Sequence, residues 1–121
     1  MPEYLPITKP GQAETGKASG VVTGGRLVAV SGNGTIATAG AASTAVVGVA
    51  AFDGVLNDDV NYYSGGTQLC VASGSITAGS PVIAGAGGTV VASATPPAGQ
   101  QVGVAKTTAA DAATVRIAWT R

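Results

Sequence analysis

The sequence predicts an all-β protein, and three observations carry that prediction: β-branched apolar residues, glycines set as turns, and an internal repeat. Valine, isoleucine and threonine are abundant, whereas leucine is scarce and methionine occurs once. β-Branched side chains are stiff about χ1 and pack well on a pleated surface, while helical cores draw on leucine. The 19 glycines are spread along the 121 residues instead of gathering in one linker. A chain of this length fits one domain with a modest core.

The repeat is the most informative feature. Residues 18–39, ASGVVTGGRLVAVSGNGTIATA, align with 72–93, ASGSITAGSPVIAGAGGTVVAS, at an offset of 54. After one inserted residue, VVGVA at 46–50 meets QVGVA at 101–105, and Val60-Asn61-Tyr62 lies opposite Val115-Arg116-Ile117. Two copies are too few for an open solenoid. Two such units are expected to close on each other as a pseudo-twofold barrel or sandwich, with copies at 18–71 and 72–121.

Turn chemistry places the strands. Asn33-Gly34 between LVAV and TIAT suits a two-residue hairpin in which both positions take positive φ, and Gly87-Gly88 occupies the same place in the second copy. Strands are expected near 26–30, 35–38, 46–51, 59–63, 67–72, 81–84, 89–93, 101–105 and 114–119. The last alternates, with Val115, Ile117 and Trp119 on one face and Thr114, Arg116 and Thr120 on the other. Val115, Ile117 and Trp119 are therefore expected as core or trimer anchors. Alanine-rich stretches near 40–45 and 108–113 have room for short helical turns.

Residues 1–17 stand apart. Pro2, Pro6 and Pro10 exclude a helix and put all three missing N–H donors on one edge of an extended segment. The other edge keeps the donors of Glu3, Leu5, Ile7 and Lys9 and is free to add to a neighbouring sheet. An extended N-terminal arm is expected, with Tyr4, Leu5, Pro6, Ile7 and Pro10 as its contact residues.

Little here supports catalysis. Histidine is absent, which removes the commonest general base and metal ligand. Cys70 is the sole cysteine, with no base to activate it, and reads as a small buried hydrophobe. Asp58-Asp59 reads as a solvated turn and not as a metal site. Gly11 to Lys17 spells G-x-x-x-x-G-K, the opening of a phosphate-binding loop. Ala18 stands where the magnesium-binding Ser or Thr belongs, and the flanks lack the required strand and helix. A nucleotide-binding role is therefore the remote alternative. No catalytic residue, cofactor or metal is expected, and the chain reads as a non-enzyme.

Net charge is zero and only 10% of residues are charged, so polyanions are poor partners: neither nucleic acid nor membrane is expected. The opening MPEYLPITKPG lacks the basic and apolar regions of a secretory signal, which suggests synthesis in a cytoplasm.

Strings along nearly the whole chain resemble small capsid decoration (cement) proteins of tailed bacteriophages, particularly those of actinobacteria. They are MPEYLPITKPGQA, VTGGRLVAVSGNGTIATAGAAS, VVGVAAFD, ASGSITAGSPVIAGAGGTVV and QVGVAKTTAADAATVRIAW. The resemblance implies a compact β domain, a homotrimer, on the outer surface of an icosahedral virion. Its partners would be the major capsid protein and itself, and its work capsid stabilisation by bridging shell subunits. The competing expectation is another structural protein of a virion or surface, such as a head fibre base or a tail component.

Overall fold

The computed structural model describes residues 13–120, and every regular element in them but one is a strand. The strands are β1 (Ala13–Ala18), β2 (Leu27–Gly32), β3 (Thr35–Thr38), β4 (Val46–Ala50), β5 (Asp59–Tyr63), β6 (Thr67–Val71), β7 (Pro81–Ala84), β8 (Val90–Ala92), β9 (Gln101–Ala105) and β10 (Thr114–Trp119). The exception is a single 3-10 turn, Ala86–Gly88. The all-β expectation holds. The first five strands form a closed barrel in the order β1-β3-β2-β4-β5, and the last five form a sheet in the order β6-β10-β9-β7-β8.

The two halves share one circular order. The offset of 54 or 55 maps β1 to β5 onto β6, β7, β8, β9 and β10, and the pairings follow. The first barrel closes through a parallel pair, Ala18 with Ile36; the second unit carries the matching parallel bridge, Ala72 with Val90. Val22 and Gly54 bridge in one copy, Ile76 and Ala109 in the other. Even the irregularities repeat: β2 shifts register against β4 after Val28, and β7 against β9 after Val82. An irregularity found twice is a property of the ancestral unit and not an accident of one loop.

Glycine explains the VVGVA and QVGVA strings. A Cβ on Gly48 would lie 2.5 Å from the Tyr63 carbonyl oxygen, and one on Gly103 would run into the Ala118 carbonyl oxygen. These two strands cross their neighbours so closely that only glycine fits.

Each unit is filled, not hollow. Ala18, Val22, Val28, Ile36, Ala50 and Val60 pack inside the first barrel, with Val47 and Tyr62 against them. Their counterparts Ala72, Ile76, Val82, Val90, Ala105 and Val115 fill the second. One exchange is compensated in volume. Gly16 faces Ile36 in the first barrel, and the equivalent places hold Cys70 and the smaller Val90 in the second. The Cys70 thiol is a packing group, and burial pushes its pKa up to about 12.

The units are joined by a shared core. Leu27, Ala29, Ala39, Val46 and Val49 of the first unit belong to the same apolar cluster as the interior of the second. Polar contacts seal the seam: Gly88 N–H donates to the Ala39 carbonyl at 3.0 Å, Ala42 N–H to the Ala84 carbonyl at 2.9 Å, and the Arg26 guanidinium to the Gly87 carbonyl at 3.1 Å. Gly88 has φ 76°, and a Cβ there would sit 2.9 Å from the Arg26 Cβ, so glycine is required twice over.

Several expectations need adjustment. Residues 13–17, grouped with the arm in the sequence reading, lie in β1, antiparallel to β5 from Ala13 opposite Tyr63 to Lys17 opposite Asp59. In the Asn33-Gly34 turn Gly34 takes positive φ (74°) but Asn33 does not. A register shift between Val30 and Gly32 supplies the extra residue, so this is a bulged hairpin and not a two-residue turn with both positions positive. Gly87 and Gly88 both take positive φ but lie in the 3-10 turn of a wider loop, closed by Gly85 N–H on the Thr89 carbonyl. The alanine-rich stretches 40–45 and 108–113 form no helix.

Val115 and Ile117 are fully buried, and Trp119 packs half-buried against the same core. The Trp119 Nε1–H is buried with no hydrogen-bond partner among the described residues.

Three outcomes follow in urea unfolding and thiol labelling. Gly48→Ala and Gly103→Ala should each lower stability by roughly 2–4 kcal/mol, because a backbone carbonyl cannot yield to the new methyl. Trp119→Phe removes the orphan donor while keeping a ring in the core, so its cost should stay under about 1 kcal/mol, whereas Trp119→Ala should cost about 3 kcal/mol. Equal costs for the two Trp119 variants would mean that the indole N–H has a partner. The Cys70 thiol should resist a thiol reagent at pH 8 in the native protein and react fully in urea; above the ordinary thiol pKa of 9.0 the raised native value predicts stability falling as pH rises toward 12.

Candidate docking surfaces

The duplicated fold supplies its own reference: where equivalent positions differ, the difference is not demanded by the scaffold. Two places on the surface differ in polarity. The first is the end of the first barrel where the Val22–Gly54 bridge ties residues 20–24 to 52–57. Val21 (72% exposed), Phe52, Val55 and Leu56 (60% exposed) all project into solvent there. Their counterparts in the second unit are Ser75, Thr107, Ala110 and Asp111. Four large apolar side chains thus stand where the sister unit has polar or small ones.

Acids hold this apolar end in shape. Asp53 Oδ1 accepts the Gly24 N–H at 2.8 Å, and Asp58 Oδ2 accepts the Val55 N–H at 3.0 Å. Both carboxylates remain exposed, and they line a shallow depression of about 290 Å³ together with Val21, Val22, Thr23, Gly54 and Val55. The first barrel therefore ends in an apolar surface edged with negative charge.

The second place is the outer face of the other unit. Arg116 on β10 pairs with Leu69 on β6, and Lys106 follows β9 with its N–H on the Arg116 carbonyl at 2.7 Å. Directly opposed residues of neighbouring strands share a face, so Lys106, Arg116 and Leu69 form a row across three strands. All three are exposed, Leu69 by 57%. Among the described residues the Lys106 Nζ reaches the Thr67 hydroxyl, at 3.5 Å. The first unit has Ala51, Asn61 and Thr15 in these places, with the Thr15 hydroxyl donating to Asn61 Oδ1 at 2.7 Å. A neutral, self-satisfied row in one copy is a basic row with an apolar end in the other.

Among the described residues no chemistry is assembled. No group of three or more His, Cys, Asp or Glu stands close enough to hold a metal ion. Burial first, then the nearby Glu14 carboxylate, raise the Tyr62 phenol, and burial raises Cys70, so both move away from neutral pH. Lys17, the lysine of the phosphate-loop string, sits in the middle of strand pairing. Its Nζ is held 3.3 Å from Asp59 Oδ1 and 3.3 Å from the Asn57 carbonyl. An extended strand cannot wrap a phosphate as a loop before a helix does, which corrects the nucleotide-binding alternative. Asp58 and Asp59 have separate duties, one capping a loop and one pairing with Lys17.

The expected arm contacts Tyr4, Leu5, Pro6, Ile7 and Pro10 lie outside the described residues. Val115, Ile117 and Trp119 are brought together, as core. Sequence reasoning missed Val21, Phe52, Val55 and Leu56, and likewise Leu69, Lys106 and Arg116 as a group. The signal was present in the repeat, at the aligned positions where the copies disagree in polarity.

No family model matches the chain, and no curated protein matches it. Among solved structures it is similar to the head fibre gp8.5 N base of bacteriophage phi29, with a TM-score of 0.73 and 24% identity over 90% of this chain and 93% of that one. This corrects the resemblance to capsid decoration, or cement, proteins: a solved structure that shares the fold is a head fibre base. The physical reason is that, within the described residues, the strings behind that resemblance encode strand pairs, turns and close-packed glycines. They specify a scaffold, and a scaffold does not fix a role.

Proposed function

We propose that the chain is a structural component of a virion, the base through which a fibre is attached to a phage head. The observation that carries this reading is the extent of the fold likeness, which runs through both units and leaves little of either chain unmatched. The interior agrees with a passive part, since apolar side chains pack inside both units. The surface agrees as well, with adhesive patches in place of reactive groups.

A base works by holding. Its affinity need not be high at any one contact if several copies engage one particle, because linked contacts raise the overall avidity by orders of magnitude. Its partners in this reading are the major capsid protein of the head and further copies of this chain, and its place is the outer surface of the particle.

Purified chain mixed with heads lacking it should sediment with them and saturate at a fixed number of copies per head. Protein that stays in the supernatant at micromolar concentration, with heads of the phage that encodes it, would contradict the proposal.

A further inference from the structure

We infer that the apolar end of the first barrel and the basic row of the second unit bind each other, between two copies of this chain arranged head to tail. Such a contact is independent of the fibre-base reading. Large apolar side chains clustered in solvent mark an interaction surface, and Val21, Phe52, Val55 and Leu56 form such a cluster. The occupant is set by charge. The cluster is edged by Asp53 and Asp58, so its partner must combine an apolar contact with positive charge.

The chain carries that combination itself. Leu69, Arg116 and Lys106 run in that order across the second unit, and the one ion pair among the described residues, Lys17 with Asp59, involves neither base. The imbalance extends to the whole units. Residues 13–66 hold four acidic residues against two basic ones, and residues 67–120 two basic against one acidic.

Both patches arose where the two copies diverged, and they diverged in opposite senses. One unit has apolar side chains beside acids, and the other has bases beside a leucine. Patches at different places on one chain cannot make a twofold self-complementary contact. They make a heterologous one, which closes into a ring when repeated about an axis. The homotrimer expected from the sequence is the three-membered case.

The test uses two surface variants of the full chain, Leu56→Glu in the apolar end and Arg116→Glu in the basic row. Circular dichroism and melting should match the wild type, because both side chains are exposed. In sedimentation velocity the wild type should form an oligomer and each variant alone should run as a monomer. An equimolar mixture should then give a dimer and nothing larger, since the pair retains one intact end and one intact row. A wild-type monomer at the highest soluble concentration would overturn the inference, as would variants that stay oligomeric. So would a mixture that remains monomeric. A wild-type monomer that still sediments with heads would sink this interface and leave the fibre-base reading standing.

Discussion

One face of the first barrel is buried by the second unit, and the rest of the molecule depends on that burial. A closed unit of about 50 residues has too little interior to be stable alone. Here Leu27, Ala29, Val46 and Val49 turn outward from the first barrel and enter the core of its sister, so that two marginal interiors become one. The glycine at 88 is the geometric condition for this contact, because any side chain there would wedge the seam open at Arg26 and Leu27. The second unit need not close as fully as the first. A single parallel bridge, Ala72 with Val90, stands where the first barrel has a strand pair.

Duplication also explains how a chain so poor in charge acquires distinct surfaces. Once the scaffold is fixed by paired glycines, repeated bulges and matched interior residues, exposed positions are free to diverge. They did so at the loop end of the barrel and on the outer face of the second unit's sheet. In the interior one exchange is compensated, Gly16 with Ile36 against Cys70 with Val90, whereas Val22 with Gly54 stands against the bulkier Ile76 with Ala109.

Much of the fold was legible in the sequence, for identifiable reasons. The strand from 114 to 119 announced itself by strict alternation, and the repeat placed its partners. β1 was not legible: Ala13 to Ala18 has alanine as its only apolar type, and the string around Lys17 imitates a phosphate loop. The repeat contained the answer, since TQLCV at 67–71 was read as a strand and its counterpart begins at 13. The Asn33 turn was misread because Asn-Gly serves both a tight hairpin and a bulged one, and the choice depends on register that only pairing reveals. The docking surfaces were hidden differently. Val21, Val55 and Leu56 look like core residues in a linear reading, and only the closed barrel shows that they end up outside.

The proposed role of this duplicated scaffold is that of an attached structural part of a phage head. A reconstruction by electron cryomicroscopy of the particle that carries the chain tests it most directly. The account predicts density matching the tandem β units on the outside of the head, at the foot of a fibre and in contact with the shell. Density for the chain at the tail, or particles that lack the chain altogether, would contradict it.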